Sequence, residues 1–309
     1  MAGRIRVRGG ALLCLLLALA PACTEKNSKN VGSSRTSLPP VYPVGPATST
    51  NWDPSAGPVV LVSLGENPDS AAIVLPDATD SVVSTLADSS VSLSGIVFDL
   101  FGRGGKLGSS TAASVTNARI SGRECNAWPT ARLQTGHSGW RIAFVKGSAT
   151  AIALDSIESL SSVDSAAMAA SLAQSVATLP IASDQTFRRL PFRVRFAYRG
   201  RLDSTEVVLA DIVRTLNEEA NPRIEHILLI AERSRLTTDS YRIGYYTRTA
   251  GAEETMQAVE VLAALAIGTA RQPAFVVNAE GERGNRLGLI ERGESGTWRP
   301  AWWSAYTSC

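Results

Sequence analysis

Residues 192–199 read FRVRFAYR and, a short turn later, residues 205–219 read TEVVLADIVRTLNEE. The first stretch alternates. Phe192, Val194, Phe196 and Tyr198 fall on one side and Arg193, Arg195, Ala197 and Arg199 on the other, the two-residue period of a half-buried strand. The second stretch fits two periods. Leu209, Ile212, Val213 and Leu216 line up at helical spacing, with Ser204 placed to cap and Asn221-Pro222 to stop the helix. Val207-Val208-Leu209 and Ile212-Val213 equally suit a strand buried on both faces. The helix reading is adopted here, and it sets helices among the strands.

Downstream, 224–231 (IEHILLIA), 241–247 and 274–278 read as strands, and 253–267 as a helix. Residues 287–291 and 298–306 read as a terminal hairpin around Gly293-Glu294-Ser295-Gly296. Upstream, 164–178 is the clearest helix: Met168, Leu172, Val176 and Leu179 recur at helical spacing, Ser161, Ser162 or Asp164 can cap it, and Pro180 stops it. Before it lie short apolar runs at 59–64 and 71–75. An alternating run at 91–101 enters the turn Gly102-Arg103-Gly104-Gly105 and returns over 109–120. Residues 140–145 and 150–154 read as a hairpin around Lys146-Gly147-Ser148. The fold class is therefore α+β, β-rich, with mostly antiparallel sheets and about three helices. The proline-containing break near 180–190 divides it into an N-terminal β-rich region, 59–182, and a C-terminal α+β region, 183–309.

The first 22 residues differ in kind. Arg4, Arg6 and Arg8 precede the apolar run ALLCLLLALA at 11–20, too short to span a bilayer. Leu19-Ala20-Pro21-Ala22-Cys23 resembles the lipobox of bacterial lipoproteins, although it has Ala20 three residues before the cysteine and Pro21 next. The resemblance implies a signal peptide, 1–22, cleaved before Cys23, which would carry acyl chains such as palmitate. With Thr24 and not aspartate following, it implies an outer-membrane or periplasm-facing membrane address. Cleavage by the ordinary signal peptidase after Ala20-Pro21-Ala22, releasing a secreted protein, remains the rival. Residues 23–58, with prolines at 39, 40, 43, 46, 54 and 58, read as a disordered, lipid-anchored linker. Its root-mean-square reach would be roughly 30–35 Å.

Of the four cysteines, Cys14 lies in the leader and Cys23 is the lipid candidate. Cys125 and Cys309 are left as a pair in an exported chain, and a disulfide between them is the expectation. Closing so long a loop would contribute about 5 kcal/mol on a loop-entropy model.

Three of the 30 basic residues fall in the leader, which has no acid; the remainder stands against 28 acids, close to neutral. Such a domain has no overall field to draw in nucleic acid. Two histidines and no Cys-x-x-Cys or HExxH motif supply no recognisable metal site. Gly102-Arg103-Gly104-Gly105-Lys106-Leu107 is no phosphate loop, because Leu107 stands where Ser or Thr must hold the metal. Gly136-His137-Ser138-Gly139-Trp140 only half matches a nucleophile elbow. No catalytic residue, metal ligand or cofactor is assigned. Two features could bind a ligand: the arginine face of Arg193, Arg195 and Arg199, which could hold an anion, and the aromatic cluster containing Trp302 and Trp303, which could stack on a sugar or peptide. The plainer readings are a solvated face and a core cluster. The leader and tether point to an exported lipoprotein, a non-enzymatic binding or structural module of the cell envelope. Its partners would be the membrane, through the anchor, and an envelope protein or glycan. The alternative is an envelope-directed hydrolase whose carboxylates, or a serine near His137 or His226, are dispersed in sequence.

Overall fold

A computed structural model describes residues 50–51, 58–65, 67–76, 91–116, 128–135, 137–180, 185–217, 222–236 and 240–307. All belong to one compact unit, residues 45–309; the other unit, residues 1–44, together with Cys23, Cys125 and Cys309, lies outside the described residues.

The chain builds four layers. The first is the one α-helix among the described residues, α1 (Ser162–Ala177). Ser161 opens it, its hydroxyl accepting from the Asp164 N–H at 3.2 Å, and Met168, Leu172 and Val176 are its buried stripe. Beneath it lies an antiparallel sheet of β10 (Leu154–Ser156), β11 (Arg193–Leu202), β12 (Thr205–Leu216), β13 (Arg223–Ser234) and β14 (Arg242–Ala252), in that order. The helix stripe packs on Val208, Ala210, Ile212, Ile227 and Leu229 of its upper face. The lower face, with Val207, Leu209, Leu228 and Ile230, packs on a second antiparallel sheet. Its order is β18 (Trp298–Trp303), β17 (Gly284–Arg292), β16 (Gln272–Gly281), β15 (Ala258–Ile267), β9 (Ala149–Ile152).

The fourth layer is a closed six-stranded barrel. Its order is β2 (Val60–Ser63), β3 (Ser70–Val74), β7 (Thr130–Leu133), β6 (Gly105–Thr116), β5 (Val97–Gly102), β8 (Ile142–Val145), and back to β2, with every pairing antiparallel. Its interior holds Leu61, Ile73, Phe98, Leu100 and Trp140, all essentially without exposure. Its outer face, with Val60, Phe101, Ile142 and Phe144, lies on Leu262, Leu265, Val276 and Leu289 of the second sheet. A two-residue parallel pairing joins β1 (Thr50–Asn51) to β4 (Val91–Ser92).

The fold is β-rich and antiparallel, with two corrections to the sequence reading. Residues 205–219, read as a helix, form β12, in unbroken register with β13 from Thr205↔Ser234 to Leu216↔Arg223. Residues 253–267 form a single 3-10 turn (Glu253–Thr255) and then β15. Only one of the roughly three helices expected is present among the described residues. The cause is the layering. A central strand of an inner layer buries both faces, so the alternating signature is replaced by a continuous apolar run. All residues from Glu206 to Arg214 are buried. In β15, alanines satisfy helix propensity as well as they fit between two packed layers.

The expected hairpin at 140–154 also resolves differently. β8 pairs with β2 and β5 in the barrel, whereas β9 pairs with β15. Consecutive strands have parted into different layers around Gly147, which takes a positive φ of 85°. The terminal hairpin, β17 with β18, pairs as read.

Candidate functional site

Where the barrel meets the second sheet, the two surfaces part to leave a cleft of about 220 Å³. Val62, Ala72, Val74, Trp128, Leu262 and Leu287 form its apolar wall. Its polar groups come from three directions: Arg141 at the start of β8, Glu260 and Asn278 from paired positions on β15 and β16, and Asn285 on β17. Asn285 is held by backbone hydrogen bonds to Thr307 in both directions, each 2.8 Å.

Glu260 is the centre of this group. Arg103, in the glycine turn between β5 and β6, donates from Nη2 to Glu260 Oε1 at 2.6 Å and from Nε to the Val261 carbonyl at 2.8 Å. Its guanidinium also sits 5.2 Å from the Tyr198 ring centroid. The Arg141 guanidinium stands 3.7 Å from the same Glu260 oxygen. The turn Gly102-Arg103-Gly104-Gly105 thus serves as an arm that ties barrel to sheet, and Gly105, at φ 135°, supplies the backbone conformation that lets Arg103 project. Two cations share one carboxylate, so donor capacity on Arg141 faces the cleft beside side-chain amides. This is the mixture of apolar wall and a few convergent polar groups that small-ligand sites use.

At the cleft's edge, Arg286 stacks between Trp303 and Tyr306, 4.3 and 4.8 Å from their ring centroids, and its Nε is buried without a hydrogen-bond partner. Burial pushes the Tyr245 hydroxyl pKa up, opposed by the positive charge of Arg286.

The arginines singled out in the sequence are not brought together. β11 carries a bulge between Val194 and Phe196, which breaks the alternation. Arg193 is exposed beside α1. Arg195 pairs with Asp211 through Nε and Oδ2. Arg199 lies 3.3 Å from Asp155 and 3.8 Å from Glu206, in a network where Tyr241 donates to Glu206 at 2.5 Å and Arg233 reaches it at 2.8 Å. Trp302 and Trp303 point to opposite faces of β18. Trp302 packs toward the barrel and Trp303 between the sheets, its ring laid on Gly288, where a Cβ would come within 2.4 Å.

His226 Nδ1 stands 3.0 Å from Asp211 Oδ2, in the lower face of the first sheet. Thr247, Thr249 and Gln257 close around the pair and leave about 30 Å³, room for a water and not for a scissile bond. Arg195 shares the same Asp211 carboxylate, which is therefore already engaged in an ion pair. His137 lies flat against Gly108, whose absent Cβ makes the room. No group of three His, Cys, Asp or Glu among the described residues is arranged to hold a metal ion.

Sequence reasoning missed Arg141, Glu260, Asn278 and Asn285. A signal was present: Glu260 interrupts the apolar AVEVLAALAI and Asn278 the apolar AFVVNA, and a polar residue inside an otherwise buried strand marks a place that the core does not cover. No family model matches the chain, and neither the curated proteins nor the solved structures contain a match to it.

Proposed function

We propose that this chain is an exported lipoprotein of the bacterial envelope, held to the membrane through Cys23, that binds envelope material without transforming it. The observation that carries the reading is the cleft between barrel and sheet, where Arg141, Glu260, Asn278 and Asn285 converge over an apolar wall. A volume of about 220 Å³ suits one small unit, such as the end of a glycan or peptide. Guanidinium, carboxylate and carboxamide groups together can both donate to and accept from hydroxyls and amides. The resemblance of residues 19–23 to a lipobox supports the address, and the proline-rich stretch read as a linker at 23–58, of which Thr50–Asn51 is paired to the fold as β1, supports a domain displayed at a distance from its anchor.

Native mass spectrometry of the full chain, extracted from its own membrane without reductant, tests both halves. The expected result is an acylated Cys23 and a bound component, lost when Asn278→Trp fills the cleft. A chain that retains its bound component with the cleft filled would refute the assignment of the site. An unacylated chain beginning at Cys23 would refute the anchor.

A further inference from the structure

A second cavity, of about 180 Å³, lies at the opposite side of the molecule, between the C-terminal end of α1 and the upper face of the first sheet. Val176, Ala177, Leu179, Pro180 and Phe192 give it an apolar wall, and Arg188, Arg214 and Arg248 give it three guanidiniums. Among the described residues, the carboxylate that meets them is Glu225, fully buried on β13.

These groups are not equally engaged. Arg214 is engaged at each of its three nitrogens: Nε and Nη2 each lie 2.6 Å from Glu225 Oε2, Nη1 donates to the Phe187 carbonyl at 2.7 Å, and its plane stacks 4.6 Å from the Phe192 centroid. Arg248 is not. Its Nη1 donates to the Pro180 carbonyl at 2.6 Å, as suits a cation at a helix C-terminus. Its Nε, however, stands 3.7 Å from Glu225 Oε1, and both atoms are buried without a hydrogen-bond partner. Arg188 is exposed at the rim and makes no side-chain ion pair with a described residue. Among the described residues, Glu225 is the one carboxylate set against these three guanidiniums, and the Arg248 Nε is a donor without a hydrogen bond. A buried donor left unpaired is costly, and an anion that presents paired oxygen acceptors can satisfy it.

We infer that this cavity is a binding site for a small organic oxyanion, a phosphate on a short apolar stem. The oxyanion is held by Arg188 and Arg248, and the stem lies against Val176, Leu179 and Phe192. Arg214, fixed by Glu225 and two rings, positions the site and adds field. A cavity of about 180 Å³ takes a group of this size. The site is separate from the cleft, with both sheets between them, and does not depend on the function proposed there.

Isothermal titration of the full chain, at fixed ionic strength in a phosphate-free buffer, is the test, with butyl phosphate, inorganic phosphate and butanol as probes. Butyl phosphate is expected to bind at least about tenfold more tightly than inorganic phosphate, since its stem buries apolar surface, and butanol not to bind. Arg188→Gln, at an exposed position that leaves the fold intact, should weaken butyl phosphate about tenfold, the worth of one charge-assisted bond, and leave the melting temperature of the free protein unchanged. Equal affinity for butyl and inorganic phosphate would overturn the stem. Absence of binding, or binding indifferent to Arg188→Gln, would overturn the site.

Discussion

Glu232 is the residue on which the two sheets are locked. It projects from β13 toward the second sheet and is almost wholly buried. It accepts from Arg292 Nε at 2.6 Å, Arg292 Nη2 at 2.9 Å and Trp298 Nε1 at 2.7 Å. The hydrogen bond and charge of Glu232 raise the Arg292 pKa, against the opposing pull of burial. Arg292 is 31% exposed and can be rehydrated, whereas the Trp298 N–H is left without its acceptor, so Glu232→Ala is expected to cost about 1–3 kcal/mol in urea denaturation. Asp99 predicts a pH effect. Burial pushes its pKa up, but hydrogen bonds from Lys106, Ser109 and the Gly147 N–H, with the charge of Lys106, outweigh burial and hold the carboxyl below its usual value. A carboxyl whose folded pKa is depressed stabilises the protein above the unfolded pKa and loses that contribution as pH falls through the folded one. Asp99→Asn should therefore be less stable than the parent at pH 6, with the gap narrowing below about pH 4. A gap that widens in acid would contradict the assignment.

Among the elements, those with one wet face were legible in the sequence, whereas of the strands covered on both faces β13 and β16 were read as strands and β12 and β15 were not. The stripe of α1 read correctly because one side of that helix meets solvent, and of the three caps the sequence offered the structure takes Ser161. The cap's worth can be checked directly: Ser161→Ala should cost about 1 kcal/mol, seen as a shift in urea midpoint without a change in slope. β11, at the margin of its sheet, showed its alternation, although the bulge that scatters its arginines leaves no trace in a two-residue period. β12 and β15 were mistaken for helices because both their faces are covered. A buried strand and a buried helix are written in the same residues, and only the partner layers tell them apart. The same limit hid the cleft. Arg141 comes from the barrel and Glu260, Asn278 and Asn285 from three consecutive strands of the second sheet, and the surface that joins them exists only once the two layers pack.

At the scale of the whole molecule, the layers explain where the two cavities lie. Apolar clusters fill the barrel and the three boundaries between layers, and the two cavities open at the margins of that packing, one where the second sheet meets the barrel and one where α1 ends over the first sheet. Filling either cavity should be inexpensive, because neither is part of the central packing. Asn278→Leu is expected to change stability by less than about 1 kcal/mol in thermal denaturation, within the range of substitutions outside the core. Leu209→Ala, between the sheets, should cost about 2–5 kcal/mol.

The parting of β9 from β10 has a further consequence. β9 ends at Ile152 on the edge of one sheet and β10 begins at Leu154 on the edge of the other, so a single exposed residue, Ala153, carries the chain across. One residue gives no slack. Neither sheet can lift away without tugging an edge strand from its neighbour, and the barrel is fastened to the same seam through the Leu154 N–H on the Arg103 carbonyl, 3.0 Å. Heated, the molecule should yield as one cooperative body and not layer by layer, with a calorimetric enthalpy equal to the van't Hoff value; two resolved transitions would mean that the stitch at Ala153 does not hold its layers to a common fate.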